Sequence, residues 1–129
     1  MAQTTVVDAR FALGAEVLQR LDRRGFPIRD AFWLYYPEDS DWRLWLGTTI
    51  AAKDGPSRAY RRVRSALHGI PSGDLDLAHI VVVGLDHPLL QALRTALKTG
   101  PGIHAIRFSN NTINGLYIDD AYIYRLQRS

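Results

Sequence analysis

Apolar residues first recur at helical spacing. Phe11, Gly14, Val17, Leu18 and Leu21 fall on one stripe, which predicts an amphipathic helix over residues 8–24. Its end is marked by Gly25, which can turn left-handed, by Phe26, which can fold back on the last turn, and by Pro27, which cannot continue the helix. The pattern then becomes strand-like. Residues 28–36 predict a strand, 37–41 a turn and 42–50 a second strand. With Tyr36 facing Trp42, Leu34 pairs with Leu44 and Phe32 with Leu46 on one face. On the other, Tyr35 pairs with Arg43 and Trp33 with Trp45. Both faces are apolar or aromatic. This hairpin is therefore expected inside the sheet with cover on each side, unless one face is left as an adhesive patch.

Lys53-Asp54-Gly55-Pro56 ends the second strand, and Ser57 is expected to cap a second helix reaching about residue 68. Tyr60, Val63, Leu67 and Ile70 make its buried side. Arg58, Arg61, Arg62 and Ser65 make the other, and residues 69–76 read as a turn-rich linker. Within residues 77–84, Ile80-Val81-Val82-Val83 is the β-branched run of a strand buried on both faces. Pro88 is tolerated in the first turn of a third helix, whose stripe is Leu89, Leu90, Leu93 and Leu97. Residues 99–102 end it. A right-handed crossover would then set the next strand, beginning near Ile103, parallel to the Val-rich strand and beside it.

Asn114-Gly115 predicts a tight hairpin, because a type I′ turn needs positive φ at both positions. It pairs Ile113 with Leu116, Phe108 with Ala121 and Ile106 with Ile123. The alternative turns at Asn110-Asn111 and again at Asp119-Asp120. The element order is α-β-β-α-β-α-β-β. It implies one domain over residues 1–129 in the α/β (α+β mixed) class, with a single mixed sheet of about five strands and three helices.

Composition narrows the chemistry. A 129-residue chain with 47% hydrophobic and 22% charged residues can fill one core and is not the composition of a disordered chain. The absence of cysteine excludes disulfides, thiol nucleophiles and thiolate zinc sites. The first residues have no basic n-region and no apolar h-region, and the run at residues 80–83 falls far short of the ~18 needed to span a bilayer. A cytoplasmic location without membrane attachment is the expectation. The four histidines have no metal-ligand spacing, and there is no P-loop, nucleophile elbow or dinucleotide fingerprint, so no cofactor and no metal is expected.

Three functional expectations follow. The leading one is a non-catalytic protein-interaction domain or small accessory subunit. Its aromatic sheet face, Trp33, Tyr35, Arg43 and Trp45, would bind a protein partner or a second copy, because aromatics and arginine anchor interfaces. Three helices for two sheet faces suggest incomplete cover. The second expectation is nucleic-acid binding through Arg58, Arg61, Arg62 and Arg64, for which the net charge of +3 is a mild aid. The third is a hydrolase, metal-dependent and acting on phosphate esters, at the strand C-terminal rim. Asp86 and His87 would there meet Ser109, Asn110, Asp119 and Asp120. Against it, Asp86 reads more simply as a helix cap, His87 as a solvated side chain, and the Asp and Asn residues as strand-end and turn chemistry.

Overall fold

The structure, a computed structural model, describes residues 6–68 and 77–127. The linker at residues 69–76, with Ile70, lies outside the described residues. Helix α1 (Val6–Arg23) ends as its sequence dictates. Gly25 has φ +72 and donates its N–H to the Asp22 carbonyl at 3.0 Å, and the Phe26 N–H reaches back to Leu21 at 3.0 Å. That is the Schellman pattern, and it turns the Phe26 ring into the core beside Leu21.

Strands β1 (Ile28–Tyr36) and β2 (Asp41–Thr48) form an antiparallel hairpin. The loop between them has four residues, and Ser40 closes it with φ +49. Tyr36 therefore faces Asp41, and Trp42 faces Tyr35. This corrects the expected pairing of Tyr36 with Trp42 by one residue. Because side chains alternate along a strand, one step of register sends every side chain of one strand to the other face. Trp33 now lies opposite Leu44 and Trp45 opposite Phe32, so the two indoles are on opposite sides of the sheet.

Thr48 ends β2 and caps a short helix not anticipated from the pattern, α2 (Thr49–Asp54), by accepting the Ile50 N–H at 3.2 Å. Helix α3 (Pro56–Leu67) starts one step before the expected cap. Gly55, at φ +87, is the cap residue and Pro56 takes the first helical position, so Ser57 is already inside the helix. After a single 3₁₀ turn at Leu77–His79 comes β3 (Ile80–Val83), parallel to β2. Helix α4 (Pro88–Ala96) leads to β4 (Ile106–Ile113) and β5 (Leu116–Leu126). Asn114 (φ +50) and Gly115 (φ +81) make the tight turn, and Ile113–Leu116, Phe108–Ala121 and Ile106–Ile123 pair as the Asn-Gly reading requires.

One mixed five-stranded sheet results, in the order β3-β2-β1-β5-β4, and the fold is of the α+β class. The expected parallel pairing of β4 with the Val-rich strand does not form. Each stands at an opposite edge, because β5 pairs antiparallel with β1 and carries its hairpin partner outward.

Helices α1 and α3 cover one side of the sheet over Trp33, Trp42, Leu44 and Leu46. Helix α4 covers the other with Leu89, Leu90 and Leu93 against Phe32, Trp45 and Ile123. Two ion pairs, each with a buried member, tie these layers together. Asp30, fully buried in β1, accepts from Arg94 Nε at 3.1 Å and Nη2 at 2.6 Å, and from the Gln127 N–H at 3.2 Å. Arg125, buried in β5, reaches Asp22 of α1 with both terminal nitrogens, at 3.1 and 2.8 Å. The edge at β3 is closed by a side chain: the Tyr60 hydroxyl of α3 accepts the Val82 N–H at 2.9 Å, where another strand would otherwise pair. No helix among the described residues is long and apolar enough to cross a membrane.

Candidate functional site

On the α4 side, the tips of the two hairpins and the first turn of α4 enclose a pocket of about 420 Å³. Tyr36, Pro37 and Glu38 come from the end of β1 and its loop, and Trp45 from β2. His87, Pro88 and Leu89 come from the start of α4, and Leu116 to Asp119 from the start of β5. The volume falls in the ~300–1,000 Å³ range of ordinary ligand sites, and the lining is mostly apolar with a few polar groups.

Its floor is rigid. Trp45 stacks on Phe32 with ring centroids 5.9 Å apart and planes 12° from parallel, and its Nε1–H donates to the Tyr36 hydroxyl at 3.0 Å. Arg43 lies 4.4 Å above the Tyr36 ring and is held there by Asp39 at 3.2 Å. The His87 ring meets Trp45 edge-on at 5.1 Å and caps α4 by accepting the Leu89 N–H on Nδ1 at 3.1 Å. The imidazole proton is thereby assigned to Nε2, a donor. Tyr36, having accepted from Trp45, keeps its own hydroxyl hydrogen to give. Leu116 and Tyr117 are 40% and 59% exposed and are the large hydrophobic side chains that stand out among the described residues; both line this pocket.

The aromatic quartet expected on one sheet face is divided. Trp33 (0% exposed) and Tyr35 pack on the α1 side, Trp33 beneath the helix and Tyr35 partly covered. Trp45 (8% exposed) belongs to the α4 side, and Arg43 stacks on Tyr36. Trp45 and Tyr35 reach the pocket, Trp33 and Arg43 do not.

The rim cluster is likewise split. His87 and Asp119 both line the pocket, whereas Asp86 is exposed outside it. Asp120 is committed to Arg107, which grips it at 2.7 and 2.6 Å and stacks over Phe11 and Trp42 beneath α1; Ser109 Oγ adds a third bond at 2.7 Å. The Arg107 hydrogen bonds hold the Asp120 carboxyl below the usual carboxylate range, against the opposing effect of partial burial. A group so neutralised is a structural partner, not a poised acid. His87 has a backbone N–H on the nitrogen where a catalytic base needs an orienting acceptor. Among the described residues no three His, Asp or Glu side chains stand close enough to hold a metal ion.

Arg58, Arg61, Arg62 and Arg64 are all exposed on α3, on the far side of the sheet from the pocket helix. Sequence reasoning missed Tyr36, Leu116 and Tyr117. The signal was present in the Asn-Gly turn: an apolar pair immediately after it, on a strand end that no helix was available to cover.

Fold and site together define an α+β mixed-sheet domain with an aromatic-walled pocket on the α4 side. Comparison with known proteins returned no match: no family model fits the sequence, and no curated protein and no solved structure is significantly similar to it.

Proposed function

We propose that this chain is a protein-interaction domain that seats an apolar side chain of a partner polypeptide in the pocket between Tyr36, Trp45, His87 and Tyr117. The observation that carries this reading is that Leu116 and Tyr117, the exposed large hydrophobics among the described residues, both line one concave apolar surface. Tyrosine and tryptophan, with a polar tip on a rigid ring, are the side chains that anchor interfaces. Glu38 and Asp119 add carboxylates to the lining. The favoured partner segment is therefore an aromatic or leucine side chain next to a lysine or arginine.

The test uses short peptides with tryptophan or leucine beside lysine, compared with the same peptides carrying glutamate. Tryptophan fluorescence gives affinity, and amide and indole chemical shifts give location. The lysine peptides should perturb the Trp45 indole and Tyr117, and Tyr117→Ala should weaken binding at least tenfold with the melting temperature unchanged. Shifts that map elsewhere, or no preference for the basic peptides, would sink the proposal. A concentration-dependent rise in solution mass that Tyr117→Ala abolishes would identify a second copy of the chain as the occupant.

A further inference from the structure

The pocket leaves the most strongly charged surface of the molecule unused. Helix α3 carries four arginines and no carboxylate, while the whole chain has a net charge of +3; everything else therefore sums to −1. The excess positive charge of this protein sits on one helix. Every exposed position from 57 to 65 is an arginine or a serine.

Arg58–Arg61 and Arg61–Arg64 are three apart and Arg58–Arg62 four apart, the spacings at which like charges on a helix repel. Arg58, Arg61, Arg62 and Ser65 line a common hollow of about 440 Å³. Neighbouring contacts stiffen this surface. Arg62 lies 5.1 Å from the centroid of the Phe26 ring, and Arg24 donates to Ser65 Oγ at 3.0 Å. Arg61 and Arg64 have no ion-pair partner among the described residues.

We infer that this ridge binds the phosphate backbone of a nucleic acid, without regard to sequence. The row from Arg58 to Arg64 runs about 9 Å along the helix, long enough to address successive anions and not a single one. Guanidinium forks match phosphate oxygens in pairs, and the helix has no lysine. A bilayer is the weaker match, since the exposed arginine and serine positions offer no apolar side chain to enter it. An anion placed in the hollow removes the repulsion between the arginines. This inference is independent of the apolar pocket on the opposite side of the sheet.

The experiment titrates a fluorescein-labelled DNA duplex of arbitrary sequence, and the matching single strand, with the full chain by fluorescence anisotropy. Neutralising three or four phosphates predicts that affinity falls about 40- to 150-fold between about 50 and about 200 mM salt. The triple variant R61A/R62A/R64A should lose at least tenfold in affinity and most of the salt dependence while remaining folded by circular dichroism. The lysine triple variant should retain most of the binding, and Tyr117→Ala all of it. Absence of binding at low salt, or unchanged binding in the alanine triple variant, would overturn the inference. So would tighter binding to phosphatidylserine vesicles than to either DNA.

Discussion

The Trp33 indole donates its Nε1–H to the Tyr124 hydroxyl at 2.9 Å, and both groups sit directly beneath Gly14 of α1. Tyr124 passes its own hydrogen to the Phe11 carbonyl, so a helix, a central strand and β5 meet at one buried chain of hydrogen bonds. A methyl group at Gly14 would stand 2.5 Å from both the indole nitrogen and the tyrosine oxygen. Neither ring has room to retreat, because both are almost fully buried. Gly14→Ala should therefore destabilise the protein by about 1–3 kcal/mol despite alanine's better helix propensity. A thermal melt equal to or above that of the parent would contradict this packing.

Tyr124→Phe tests the same junction from the other side. It leaves the Trp33 N–H buried without its acceptor, which should cost about 1–3 kcal/mol by chemical denaturation. Burial also raises the Tyr124 hydroxyl above its ordinary value of 10.0. The folded state thus holds the proton more tightly than the unfolded state. The resulting stability is complete below about pH 10 and is lost progressively at higher pH. The decline above that pH should be shallower in Tyr124→Phe than in the parent.

Asp30 and Arg94 form the buried link between β1 and α4. Removing the carboxylate in Asp30→Ala leaves a guanidinium only 12% exposed without its partner, at an expected cost of about 3–5 kcal/mol. Adding Arg94→Met to that variant should recover a substantial part of the loss. A double variant as unstable as the sum of both single changes would show that the two residues act separately.

The Asp120–Arg107 pair behaves differently, since Arg107 is 54% exposed. Asp120 is held below its ordinary value of 3.8, so its contribution is present above that pH and fades as pH falls through the lowered value. The stake is under about 1 kcal/mol. Asp120→Asn should flatten the acid limb of a stability profile slightly and leave stability near pH 7 within that margin.

Gly115→Ala places a Cβ at φ +81 in the β4–β5 turn and should cost about 1 kcal/mol. The pocket residues Leu116 and Tyr117 follow directly, so the same change should weaken peptide binding more than melting suggests. Equal effects on both would mean that the turn does not position the pocket wall.

Much of the fold was legible because its signals are local. The α1 stripe with its Gly25–Phe26–Pro27 stop, the Val-rich strand and the Asn114-Gly115 turn each depend on a few neighbouring residues, and each was found where expected. The β1–β2 hairpin formed as expected, but its register missed by one residue. Nothing local to residues 37–41 distinguishes a five-residue loop from the four-residue loop that Ser40 closes. The candidate site inherited that error: with Trp33 and Trp45 assigned to one face, the pocket beneath Tyr36 could not be seen.

The partnership of β5 with β1 lies further from what a sequence reveals, since residues 30–34 and 121–126 are joined by no short turn. By itself the chain's pattern determined the three longer helices, the strands, the last hairpin and the mixed class of sheet, because side-chain period and turn chemistry act over a few residues. Tertiary structure alone decided which sheet face each tryptophan meets, that β3 and β4 stand at opposite edges, and that His87, Tyr36 and Tyr117 share one hollow. Those outcomes depend on register and on burial shared between distant segments, where a shift of one residue reverses a face while leaving the local pattern unchanged.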